Sequence, residues 1–314
     1  MKSRNEFKNF FVKISLFMAG LLIVSAAIIA ASLYLPKDEN HYLFALLDKH
    51  ELLKKTGGER IVFVGGSNLA FGIDSPKIEL GTGKKVVNSS LHAALGMKYI
   101  LQDVEPLLKS GDTVIVSPEY AQFYSEELFN GEILADTIVN VFPEGIRYLD
   151  YKQFINLAKN VPKITRNNIL GVFKNALFKQ ASVYQRRNFN ENGDMTGHLA
   201  LKNKDRIGVE MLTGEIIEDV IAELNKFNGR VKRKNINCFF MYTSFNENSF
   251  AANKAAIEKL DAVLRSRLEF KILGTPADFV FDNKMFFDTG YHLDKTGREK
   301  RTDIIIGKLN EVRR

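Results

Sequence analysis

The stretch IVFVGGSN at residues 61–68 decides how the chain is read. Ile61, Val62, Phe63 and Val64 form a buried-strand run that stops at Gly65 and Gly66, which puts Ser67 at the carboxyl end of a first strand. Open parallel sheets place their ligand sites at that edge. The two glycines permit a tight turn and let another backbone or a substrate come close, as a nucleophilic hydroxyl needs if it is to be presented. The plainer alternative is a turn that ends a strand and does nothing else.

Outward from this strand the same rhythm recurs. Short β-like runs at 85–88, 113–117, 236–242 and 270–273 alternate with stretches of helical spacing. Such alternation predicts an α/β fold with a mostly parallel five-stranded sheet covered by helices. The clearest crossover helix spans 98–109, with Ile100, Leu101, Val104, Leu107 and Leu108 on one face. Residues 216–227 and 255–264 supply two more helices, and 296–312 a final amphipathic one. Residues 121–212 hold helical patterns and an Asn- and Gly-rich loop without a core strand, and are read as an insertion or lid.

Before the first strand, residues 14–35 run for 22 positions without a charge. At about 1.5 Å per residue that length crosses a hydrocarbon layer of about 30 Å. Lys2, Arg4, Lys8 and Lys13 precede it with only Glu6 opposing, so the positive-inside rule predicts a single signal anchor, with 1–13 in the cytoplasm and the rest outside. The alternative is a signal peptide cleaved near Ala30, Ala31 and Ser32, leaving a secreted or periplasmic protein. Residues 36–59 then form a linker and a juxtamembrane amphipathic helix at 42–55, closed by Gly57 and Gly58, and 60–314 form the globular domain.

Several chemistries are set aside by spacing. Glycines at 65, 66 and 72 do not make a dinucleotide fingerprint, and no Gly-Lys-Ser or Gly-Lys-Thr follows for a P-loop. None of His41, His50, His92, His198 and His292 pairs with another at metal-ligand spacing, so neither a metal nor a cofactor is expected. The single cysteine, Cys238, lies in an apolar run and reads as a buried, inert thiol. A net charge of +7 suits work beside anionic headgroups or acidic cell-surface polymers. The cations are dispersed and no nucleic-acid-binding motif is present, so a nucleic-acid partner is not expected.

A second cluster lies at FFDTGYHL, residues 286–293, just before the final helix. An acid close before a histidine on a loop can orient one imidazole nitrogen while the other faces a nucleophile. Serine needs that help, because a free hydroxyl is a poor nucleophile without a general base. Taken alone, His292 also suits a capping or buried structural role.

At these residues the chain resembles the SGNH (GDSL-like) hydrolase superfamily, in which a serine follows the first strand and an Asp-x-x-His motif precedes the last helix. It looks most like the membrane-anchored branch, which includes the D-alanyl transfer proteins of teichoic acid modification and the periplasmic proteins of alginate acetylation. The resemblance covers residues from about 60 to 314 and implies a flavodoxin-like three-layer sheet. Carried over, it makes Ser67 the nucleophile, His292 the base and Asp288 the acid. Asp288 stands four residues before the histidine where the superfamily has three, so a bulge or another orienting carboxylate is implied.

The oxyanion blocks depart further. Residues 87–90, VNSS, stand where an Asn-x-Gly-like turn is expected, and SPEY at 117–120 replaces Gly-x-Asn-Asp. An ionised Glu119 cannot donate to an oxyanion. It is left to position a sugar hydroxyl, to accept a hydrogen bond from Tyr242, or to cap a helix. Asn68 and the backbone amides of Ser67 and Ser90 are the remaining donors. Arg186 and Arg187 suit a clamp on a carboxylated or phosphorylated polymer, or simply a solvated loop. Lys159, Lys163, Arg166, Lys174 and Lys179 precede them, facing water or headgroups. The resemblance implies an extracytoplasmic serine-dependent O-acyl transferase or esterase acting on a cell-envelope glycan, beside a polytopic membrane O-acyltransferase. The alternative is an accessory protein that has kept the scaffold without the rate.

Overall fold

The computed structural model of the chain describes residues 2–125, 131–177 and 182–312. Lys179 lies outside them. The first helix, α1 (Lys2–Leu33), begins well before the uncharged segment, because no Pro or Gly interrupts the basic leader. Its stretch Glu6–Leu33 is long and apolar enough to cross a membrane. Phe17 and Ile23 are largely exposed, at 71% and 70%, and Ser32 is the first buried residue among those described. Pro36 follows and disfavours helical geometry at Leu35, which stops the helix.

A 3₁₀ turn at Tyr42–Phe44 leads into α2 (Ala45–Lys55). Besides Leu46 and Leu53 it buries Lys49 and His50. The next elements are β1 (Arg60–Gly65), α3 (Ser67–Gly72), α4 (Ser75–Thr82), β2 (Lys85–Asn88), α5 (Met97–Val104) and β3 (Thr113–Ser117). The expected crossover helix at 98–109 is shorter as an α-helix than the periodicity suggests. Pro106 cannot donate within it, and the chain tightens into a 3₁₀ turn at Glu105–Leu107. The insertion carries α6 (Glu132–Asn140), a 3₁₀ segment at Pro143–Tyr148 and the long α7 (Tyr151–Leu177). After it come α8 (Glu218–Lys232), β4 (Asn237–Met241), β5 (Phe245–Asn246), α9 (Glu247–Ala252), α10 (Lys254–Arg267), β6 (Lys271–Leu273), β7 (Val280–Phe281) and α11 (Lys295–Val312).

Five strands form one sheet in the order β2-β1-β3-β4-β6, every neighbouring pair parallel. This is the doubly wound order 2-1-3-4-5, whose ligand crevice opens where the order reverses, beyond the carboxyl ends of β1 and β3. The connection from β1 goes one way to β2, and the next leaps back over β1 to β3. Right-handed crossovers therefore place α4 and α5 on opposite faces. The final helix α11 packs with α4, and α8 packs with α5.

Val62, Phe63 and Val64 are wholly buried, each contributing about 1.5–3 kcal/mol of apolar burial. Cys238 is buried in β4, and burial pushes its thiol pKa up. At the far end of the sheet Arg60 and Asp112 form an ion pair with both side chains at 0% exposure. The remaining donors of Arg60 go to the carbonyls of Leu53, Thr56 and Leu107, so the pair is buried without orphaned groups and ties α2 to the start of β1.

Candidate active site

The glycines that end β1 are required by what lies next to them. Gly65 pairs with Ser117 of β3, and a Cβ there would stand 2.5 Å from the Ser117 carbonyl oxygen. A Cβ on Gly66 would stand 2.8 Å from a Glu119 carboxylate oxygen and 2.9 Å from the Ala93 methyl. Gly66 caps α3 in an extended conformation, so Ser67 becomes the first helical residue, 9% exposed at the crevice.

Ser67 Oγ donates to Glu119 Oε1 at 3.0 Å, and the Asn68 backbone N–H donates to the same oxygen at 3.0 Å. The Glu119 carboxylate thus sits across the first turn of α3, where N–H groups have no partner within the helix and negative charge is favoured. Of the three roles the sequence left open for Glu119, helix capping is the one seen: it sits at the N-cap of the 3₁₀ turn Tyr120–Phe123, in a capping box with Gln122, and its carboxylate also caps the helix of Ser67. Tyr242 does not reach it, since its hydroxyl donates to Asp261. Gln122 fixes the backbone of Glu119 by accepting its N–H at 3.0 Å, and donates to the Ala93 carbonyl at 3.0 Å. Burial raises the Glu119 pKa; His292 and the hydrogen bonds from Asn68 and Ser67 oppose the rise.

His292 is held by its loop. Phe286 and Leu293 form an antiparallel bridge, and the Phe287 N–H donates to the His292 carbonyl at 2.8 Å. Thr289 Oγ1 accepts from the N–H groups of Tyr291 and His292, at 3.2 Å each, which winds the four-residue spacing into a turn. His292 Nδ1 then lies 2.8 Å from Asp288 Oδ1. The other carboxylate oxygen accepts the Tyr184 hydroxyl at 2.5 Å. Burial pushes the Asp288 carboxyl pKa up, but its bonds to His292 and Tyr184 outweigh that and leave it below the usual range. An ionised Asp288 holds the proton on Nδ1 and frees Nε2 to act as a base.

The imidazole of His292 stacks on Phe71, ring centres 4.1 Å apart and planes within 8°. Phe71 lies four residues after Ser67 on α3, so the two share a helix face with Cβ atoms about 5–6 Å apart. His198 packs against Phe71 too, at 4.8 Å. The Asp288–His292 pair is therefore packed against the helix that Ser67 opens, on the side of Phe71. No hydrogen bond joins Ser67 to His292 among the described residues, because the hydroxyl is turned to Glu119.

The other expected contacts are engaged in the fold. Both protons of the Asn68 side-chain amide are used, on Ser117 O at 3.1 Å and Thr243 Oγ1 at 2.6 Å. Ser90 Oγ donates to Phe63 O at 3.3 Å, and its N–H donates to Asn88 Oδ1 at 3.2 Å. The Arg186 fork grips Asp48 of α2 at 2.7 and 2.6 Å, so the carboxylate in this clamp comes from the chain itself. The Arg187 N–H donates to Asn40 Oδ1 at 3.0 Å, and its residue is exposed.

Four residues that the sequence reading passed over frame the site. Tyr184 comes from the insertion. Asp194, also from the insertion and 0% exposed, accepts from Ser75 N, Ser75 Oγ, Asn88 Nδ2 and Arg298 Nη2 at 2.6–3.1 Å. It binds the insertion to β2 and to the helices below Ser67. Arg301 is fully buried on α11 and donates to Asn68 O at 2.7 Å, while burial, opposed by Glu119, lowers its pKa to about 9. His92 Nδ1 accepts from the Ala94 N–H at 3.1 Å, which fixes the Nε2–H tautomer. Burial, then His292 and His41, lowers the His92 pKa to about 4, so the ring is neutral at physiological pH. None of the four stands out in the sequence: Arg301 lies on the buried face of the final helix beside Thr302 and Ile305, a face that the folded chain defines.

Among the described residues, no group of three or more His, Cys, Asp or Glu stands together to hold a metal ion. No protein-family model matches the chain, and no curated protein is found to be similar to it.

Proposed function

We propose that the chain is a membrane-anchored, extracytoplasmic serine O-acyltransferase or esterase of the SGNH type, acting on a cell-envelope or exopolysaccharide glycan. The observation that carries this reading is the Asp288–His292 pair stacked through Phe71 onto the helix that Ser67 opens. In the reaction Ser67 Oγ turns from Glu119 towards His292 and attacks an acyl carbonyl carbon. Its proton passes to His292 Nε2, then to the departing oxygen as the old ester bond breaks. A sugar hydroxyl or water next gives its proton to His292, attacks the acyl-serine and restores Ser67. Asp288 holds Nδ1–H throughout and stabilises the imidazolium. The Ser67 N–H faces the developing oxyanion, since the first turn of α3 leaves it without a helical partner. Burial favours the neutral form of Glu119, and a neutral carboxyl also donates.

A test is acetate release from p-nitrophenyl acetate and acetylated sugars by the full-length protein, beside Ser67→Ala. If both are silent, and glycan acetylation in cells is the same with either, the reading fails. The Ser67–Glu119 hydrogen bond favours a second one, a glycan-binding accessory of a polytopic O-acyltransferase with little activity of its own. On that reading Ser67→Ala leaves both glycan binding and partner activity intact.

A further inference from the structure

The long helix α7 (Tyr151–Leu177) presents a surface that the site does not use. It buries Gln153, Leu157, Ile164 and Thr165, one face at helical spacing. Round from that face, Tyr151 is 79% exposed, and Phe154, Ile155, Ile169 and Leu170 are exposed as well. Alongside them Lys152, Lys159, Lys163 and Arg166 are exposed, and the helix contains no Asp or Glu. Of these cations Lys163 is paired, with Glu132 at 2.5 Å. An exposed apolar row bordered by cations is the pattern of a helix that lies in a lipid interface, its apolar side in the acyl boundary and its charges on phosphates.

The position of α7 adds an independent observation. Ser32, the last buried position before α1 ends at Leu33, packs against α7, and Asn168 Nδ2 reaches the Ser32 carbonyl at 3.5 Å. The uncharged stretch that can cross a membrane runs out at residue 35. Asn168 is therefore fixed at the level where α1 leaves the hydrocarbon, and Ile169 and Leu170 follow it directly. Tyr151 is about 25 Å further along the helix at 1.5 Å per residue. Exposed apolar residues at both ends keep both near lipid only if α7 runs along the surface.

We infer that α7 rests on the same lipid layer that α1 crosses, with Tyr151, Phe154, Ile155, Ile169 and Leu170 at the acyl boundary and Lys152, Lys159 and Arg166 on anionic headgroups. This contact orients the globular domain and adds to the hold of α1. It does not depend on the catalytic reading.

The test uses the full chain in nanodiscs of phosphatidylcholine and phosphatidylglycerol, labelled with an environment-sensitive fluorophore at Ile155→Cys or Leu170→Cys. Native Cys238 is buried, and the chain without an introduced cysteine gives the background. Leu80→Cys on α4 is the reference, 89% exposed and on the sheet face away from α5. A lipid carrying a nitroxide near its headgroup is expected to quench labels at 155 and 170 at least twofold more than at 80. Changing Lys152, Lys159 and Arg166 together to Glu is expected to remove the excess at 155. Quenching at 170 alone overturns the inference, because α7 then stands away from the lipid. It is equally overturned if neither label is quenched, including the case where both are shielded from aqueous quencher only in native membranes, which makes a membrane protein the occupant.

Discussion

Ser67 Oγ gives its hydrogen to Glu119 at 3.0 Å, while the imidazole of His292 stacks on Phe71 one helical turn away. The proposed nucleophile is thus parked on a buried carboxyl group that also caps its helix. Glutamine at 119 keeps an oxygen to accept from Ser67 and Asn68, and adds an amide donor. Glu119→Gln is expected to keep acyl-transfer activity within about tenfold, whereas Glu119→Ala loses on the order of a hundredfold, the scale of one oxyanion contact. Steady-state hydrolysis of a small ester checks this. A Gln variant as inactive as Ser67→Ala makes Glu119 the proton acceptor and removes His292 from that role.

Asp288 binds both the imidazole and Tyr184, so its loss and the loss of the tyrosine hydroxyl should differ in size. Asp288→Asn leaves the shape but permits the wrong imidazole tautomer, with an expected fall in kcat on the order of 10⁴-fold. Tyr184→Phe removes one hydrogen bond that helps keep Asp288 ionised. It is expected to cost about tenfold, and to move the acid limb of the pH–rate profile upward.

Asp194 is the buried charge on which the insertion depends. Among the described residues, Asp194→Ala leaves Arg298 with only Asp74, at 3.8 Å, as a carboxylate partner, and strips acceptors from Ser75 and Asn88. Breaking a buried pair of this kind costs about 3–5 kcal/mol. Chemical denaturation in detergent should show that loss, and limited proteolysis should cut the insertion first.

Two buried histidines set an acid sensitivity. Burial lowers the pKa values of His92 and His198 to about 4 each, from 6.5. Between those values the unfolded chain binds more protons than the native one, so stability falls as pH drops from about 6.5 towards 4. Denaturation midpoints at pH 7, 5.5 and 4.5 should decline in that order. A His92→Gln, His198→Gln double variant should lose part of the slope.

The parts of this architecture that the sequence displays are those whose causes are local. Strands buried on both faces read as near-continuous apolar runs, which is why 61–64 and 113–117 fall on β1 and β3, while Val86 and Val87 mark the shorter edge strand β2. Asp288 and His292 are four residues apart, and a single turn joins them. Tyr184 and Asp194 were not legible, because each meets its partners across about a hundred residues and nothing in a polar loop says which side chain turns inward. Lys49 and Arg301 escaped notice for a different reason. Cations are ordinarily exposed, and only the assembled fold supplies the carbonyls that Lys49 takes from Asn88 and Gly193. The partner of Glu119 needed the register of β1 against β3, which brings Gly65 beside Ser117.

The central claim, a serine made nucleophilic by the carboxyl-terminal histidine, is met most directly by a fluorophosphonate probe on the full-length protein in membranes. Covalent labelling at Ser67 that disappears in Ser67→Ala and falls at least a hundredfold in rate in His292→Ala is the predicted result. Labelling that persists unchanged in His292→Ala, or a wild-type protein that stays unlabelled beside a reactive hydrolase, would contradict it.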